Sequence, residues 1–161
     1  MLVKNPDGAS ARRINYKVSE HSPNSNTVAG DPTTGGATLN IKVDSNSQCF
    51  TMPASGWSPT NTLGFKYADS SGAHGPVKVA QIKKTKSGVF QMKAIIMGSL
   101  GTVSIVPPNP GTQGDTNFAV GGGDQYCGST AGGVINPNSA NTFRAKASPP
   151  PAGCNVPICP P

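Results

Sequence analysis

Glycine and proline punctuate this chain so closely that a long helix has nowhere to run, and the stretches between them alternate polar with apolar residues. Of 161 residues, 20 are Gly and 16 are Pro. Proline lacks a backbone donor and clashes with the preceding helical turn, and glycine raises the entropic cost of any regular element. This density therefore favours short strands joined by turns. The alternation supplies the strands: in Arg13-Ile14-Asn15-Tyr16-Lys17-Val18, the residues Ile14, Tyr16 and Val18 share one side, and Arg13 and Lys17 take the other.

The same period runs through Ala37 to Val43, with Leu39, Ile41 and Val43 inward and Lys42 outward, and through Leu63 to Tyr67, where Lys66 opposes Phe65 and Tyr67. Cys49 to Met52 reads as a short strand stopped by Pro53. The clearest hairpin goes from Pro76 to Lys84, turns at Thr85-Lys86-Ser87-Gly88 and returns from Val89 to Met97. A change of parity between Val79 and Ile82 predicts a β-bulge near Ala80-Gln81. Further strands are expected at Leu100 to Val106, Asn117 to Val120, Gln125 to Cys127 and Thr142 to Lys146. Residues 19–36 read as a long loop, residues 1–10 as a linker remnant, and residues 148–161 as a polyproline-like tail. The length suits one domain, placed at 11–147. The expected fold is all-β: a two-sheet antiparallel sandwich or jelly-roll-like module with a disulfide-stapled tail, a barrel being the alternative.

Cys49, Cys127, Cys154 and Cys159 form an even set without zinc spacing, so disulfides and an oxidising compartment are expected. Three pairings are open; the preferred one joins Cys127 to Cys154 and Cys49 to Cys159, tying the tail to the sheet. No apolar run is long enough for a membrane-spanning helix, and Met1-Leu2-Val3-Lys4 lacks the anatomy of a signal peptide, so the start reads as cut.

Charge is the main clue to partners. The chain has 13 Lys and Arg against 7 Asp and Glu, a net charge of +6, and most of the cations lie in or beside strands while most of the acids lie in turns. Alternation then places many cations on one solvent face of a sheet. Lys78, Lys83, Lys84, Lys86 and Lys93 mark the most basic region. Catalytic candidates are thin. His21 and His74 are loop residues without metal-spaced partners; Asp31, Asp44, Asp69 and Asp124 read as turn formers, with a weak Ca²⁺ site among them as the alternative. Gly121-Gly122-Gly123 lacks the Lys and Ser or Thr of a phosphate cradle, and Ser129 lacks the strand–turn–helix setting of a nucleophile. No enzyme activity, metal or cofactor is expected. A glycan platform would draw on Trp57, Tyr67 and Tyr126, although a lone Trp after a Pro and Gly turn is more often a core cap. Nucleic acid is not an expected partner, because the aromatics fall on the parity opposite the cations.

Arg12-Arg13-Ile14, Gly30-Asp31-Pro32-Thr33, Gly35-Gly36-Ala37-Thr38-Leu39, Pro53-Ala54-Ser55-Gly56-Trp57, Gly64-Phe65-Lys66-Tyr67, Gly75-Pro76-Val77-Lys78 and Gln125-Tyr126-Cys127-Gly128, with a late Cys154, follow one another in this order. The pattern resembles an uncharacterised β-rich domain that recurs at the C-terminal ends of large secreted proteins of environmental proteobacteria. That resemblance implies export, modularity and a pairing of the Tyr-Cys strand with the tail cysteine; Cys49 and Cys159 lie outside it. The resulting expectation is a non-catalytic accessory module of a secreted or cell-surface protein, acting in adhesion, spacing or assembly. Its partners would be polysaccharide or other chains of the same surface assembly. Carbohydrate binding through exposed aromatics is the second expectation.

Overall fold

The computed structural model describes every residue except Ser22, Thr62, Ala147 and Pro161, so the expected domain end at Ala147 lies outside the described residues. Twelve strands are described: β1 (Leu2–Lys4), β2 (Arg13–Glu20), β3 (Ala37–Val43), β4 (Asn46–Met52), β5 (Trp57–Pro59), β6 (Leu63–Ala68), β7 (Val77–Lys84), β8 (Phe90–Met97), β9 (Gly114–Val120), β10 (Gln125–Ser129), β11 (Val134–Ser139) and β12 (Thr142–Lys146). They form two antiparallel sheets, one of eight strands in the order β11-β12-β1-β2-β8-β7-β6-β5 and one of four in the order β10-β9-β3-β4. The fold is the all-β, two-sheet architecture expected from the alternation.

Alternation also locates the core. Ile14, Tyr16, Tyr67, Ala80, Ile82, Ala94 and Ile96 from the large sheet meet Leu39, Ile41, Phe50, Met52, Phe118 and Val120 from the small one, all of them buried. Burying each large side chain contributes about 1.5–3 kcal/mol, which is the main force holding the sheets together. Trp57 bridges the layers. Its ring lies 5.5 Å from that of Tyr67 in the large sheet and 6.3 Å from that of Phe118 in the small one, and its Nε1 donates to the Met52 carbonyl at 3.2 Å. Gly56 makes room for this cluster, since a Cβ there would come within 2.2 Å of the Tyr67 ring.

Four expectations change. Residues 1–10 are not merely a linker remnant: Leu2–Lys4 is an inner strand between β12 and β2, and Val3 is fully buried. Three residues are too few for alternation to be read. The bulge lies between Val77 and Val79 rather than near Ala80-Gln81. Ala80, opposite Tyr67 and Ala94, is the inward residue and is fully buried. The segment Leu100 to Val106 points Val103 and Ile105 into the core but joins no ladder. Side chains satisfy its backbone instead: Gln48 Nε2 donates to the Thr102 carbonyl, Gln48 Oε1 accepts from Ser104 N, and Arg12 donates to the Val103 carbonyl. Finally, β5 and β11 are strands that alternation does not announce, while β4, β9 and β10 are longer than expected.

Candidate functional site

Each sheet has an outer face, and the two faces differ in everything but geometry. On the small sheet, strand register aligns Cys49 of β4, Asn40 of β3, Asn117 of β9 and Cys127 of β10 in one row across the strands. The tail lies along this row. Cys127 is bonded to Cys154 and Cys49 to Cys159, the pairing preferred from sequence. Between these anchors, Asn117 Nδ2 donates to the Val156 carbonyl and Asn40 Nδ2 to the Pro157 carbonyl, both at 3.0 Å. Three strand spacings span about 14 Å, and the five steps from Cys154 to Cys159 span about 15 Å in a polyproline-like conformation. The Pro-rich composition therefore supplies a strap of the right length. Val156 and Cys159 are buried by it, as are Asn40, Asn117 and Asp115 beneath. The buried Oδ1 atoms of Asn40 and Asn117 have no partner, so both amides hold the strap through their donors alone. Lys42 stands opposite Asp115, which leaves this face without net charge at its centre.

On the large sheet the cations at outward positions are Arg144 and Lys146 of β12, Lys4 of β1, Arg13 and Lys17 of β2, Lys93 of β8, Lys83 of β7 and Lys66 of β6, with Lys78 at the bulge. None of the outward positions of these strands is Asp or Glu. Lys4, Arg13, Lys17, Lys66, Lys78, Lys93, Arg144 and Lys146 are exposed. Lys86, in the hairpin turn, is exposed beyond the edge of this face. Lys84 departs from the expected patch. It follows Lys83 on the strand and so points the other way, and its Nζ donates to the Asn24 and Asn26 carbonyls, at 3.3 and 2.7 Å. Lys17 of β2 and Lys66 of β6, outside the hairpin, complete the patch.

The expected aromatic platform is overturned. Trp57 and Tyr126 are 7% exposed and Tyr67 is 1% exposed, because all three carry large apolar surfaces at inward parity. Tyr126 stacks on Phe90 at 5.2 Å, and its hydroxyl donates to the Thr27 carbonyl and accepts from Ala29 N, both at 2.8 Å, pinning the long loop. Burial raises its pKa and pushes that of Tyr16 up to about 12.

The turn carboxylates hold loops. Asp31 caps the helical turn α1 (Pro32–Gly35) through Thr33 N. Asp44, at a positive φ of 50°, accepts from Thr112 and Gln113. Partial burial raises its pKa, but the Thr112 hydroxyl and the backbone donors of Gln113 and Thr112 outweigh it, leaving the carboxyl below its ordinary range. Asp69 is held low first by the His74 N–H, against desolvation, with Ala73 N and Ser71 assisting. Among the described residues no three His, Cys, Asp or Glu side chains converge as metal ligands. His21 and His74 are exposed on separate loops. The Gly121-Gly122-Gly123 run is a packing contact: Gly121 N donates to the Gly36 carbonyl at 2.8 Å, and a Cβ on Gly121 would meet the Gly35 carbonyl at 2.2 Å. A groove of about 570 Å³ is lined by residues of β2 and β10, by Thr116 of β9 and by Pro149 to Pro151 of the tail.

Two disulfides fit a chain that matures in an oxidising compartment outside the cytoplasm. No helix among the described residues is long and apolar enough to cross a membrane. Compared with family models, with curated proteins and with solved structures, the chain matches none of them.

Proposed function

We propose that this chain is a non-catalytic accessory module of a secreted or cell-surface protein, and that among adhesion, spacing and assembly its work is adhesion. One observation carries the reading: the outer face of the eight-stranded sheet bears cations on six neighbouring strands and no carboxylate at any outward position. Such a surface attracts anionic matter at long range and holds it at close range. The covalently strapped opposite face fits a module that works outside the cell. The resemblance to a domain at the ends of secreted proteobacterial proteins belongs to this same proposal. Assembly through sheet edges is less favoured, because the edge strands β5 and β11 of the large sheet carry Pro59 and Pro137, which cannot donate to an added strand.

The test is retention of the purified chain on anionic and neutral particulate surfaces across a salt series. Salt-reversible retention on the anionic surface alone is the expected result. Passage through both, or retention that salt does not weaken, overturns the reading.

A further inference from the structure

We infer that the outer face of the large sheet binds an acidic polysaccharide laid across its strands, along the row Lys17, Lys93, Gln81 and Lys66. The inference rests on the adhesive reading and names its ligand class. Register makes the row. Lys17 of β2 is directly opposite Lys93 of β8, Lys93 is opposite Gln81 of β7, Gln81 is opposite Lys66 of β6, and Lys66 is opposite Ser58 of β5. Neighbouring positions are one strand spacing apart, so the cations extend over about 14 Å in a line perpendicular to the strands.

Like charges directly opposite one another destabilise a sheet. This face has two such pairs, Lys17 with Lys93 and Lys4 with Arg13. Protection of a sheet edge does not explain them, since β1, β2 and β8 are all inner strands. A polyanion bound along the row would relieve the repulsion between Lys17 and Lys93.

Polymer chemistry follows from what lies between the cations. The next row on the same face is Leu2, Asn15, Ile95 and Val79, all partly exposed, with Arg144 beyond Leu2. Aliphatic side chains and the amides of Asn15 and Gln81 suit a sugar ring, which offers C–H faces and hydroxyls beside its carboxylate. A single-stranded nucleic acid would instead need exposed rings for base stacking. None of the nine aromatic side chains is exposed.

The experiment measures binding of the intact chain to polygalacturonate, inorganic polyphosphate, duplex DNA and neutral dextran at one low ionic strength. It compares the native chain with a Lys17→Gln/Lys93→Gln variant and a Lys42→Gln/Lys86→Gln variant of equal net charge. The expected result is preferential binding to polygalacturonate, about tenfold weaker in the first variant and within about twofold of native in the second. Equal losses in both variants would mean that net charge alone binds, overturning the row and the adhesive face together. Tighter binding to polyphosphate or DNA, with the loss still confined to the first variant, would overturn the polysaccharide assignment and leave the adhesive face standing. Circular dichroism of both variants confirms that they fold.

Discussion

The two outer faces have the same pleat and the same alternation, yet one is closed by its own chain and the other is left open. On the small sheet a row of Cys-Asn-Asn-Cys is covered by the tail, its amides turned to the strap's carbonyls. On the large sheet a row of the same orientation holds Lys17, Lys93 and Lys66 in solvent. What differs is the hydration of the side chains. An ammonium group is too strongly hydrated to be covered without a partner, whereas a carboxamide that donates to a backbone carbonyl can be buried. The residue types on a face thus decide whether it becomes structure or surface.

If the strap is structural, removing both anchors should have the largest effect. A Cys154→Ser/Cys159→Ser variant is expected to lose about 4–8 kcal/mol in chemical denaturation, because two loops closed over sequence separations of 27 and 110 residues are freed. Unchanged stability would reduce the tail to an ornament. Trp57→Ala, which removes the ring joining the sheets, should cost about 3–5 kcal/mol. If the ring were a ligand platform, its loss would leave the denaturation midpoint in place. Asn117→Ala, beneath the strap, should cost about 1–3 kcal/mol through the lost bonds to Val156 and Gln125. Lys93→Gln, in the open row, should change stability by less than about 0.5 kcal/mol. A comparable loss at both positions would erase the distinction between the faces.

Acid should act on the loops and spare the open face. Asp44 and Asp69 have folded-state pKa values below ordinary, so each contributes stability that is complete above the ordinary carboxylate range. That contribution is lost as pH falls through and below this range. A denaturation series at descending pH should show it, with Asp69→Asn flattening the dependence. An undiminished slope in that variant would count against the Asp69 contacts.

Much of this was legible in sequence. Period-two alternation marked the inward residues of β2, β3 and β8, and the even cysteine count with a Pro-rich tail pointed to the staple. Register was not legible, because pairing depends on which strands become neighbours. The alignment of Asn40 with Asn117 between two cysteines appears only once β3 lies beside β9. Lys83 and Lys84 show a signal that was present and unused, since adjacent residues of a strand cannot share a face. The aromatic platform failed on parity as well: Tyr67 and Tyr126 sit at inward positions, and Trp57 pairs with Tyr67.

The most direct test is to map backbone amide shifts by nuclear magnetic resonance while titrating the labelled chain with a short oligogalacturonate. The account predicts shifts concentrated at the outward residues of β2, β6, β7 and β8, with Lys17, Lys66 and Lys93 foremost. Shifts centred on β3, β9 and residues 154–159 would contradict it.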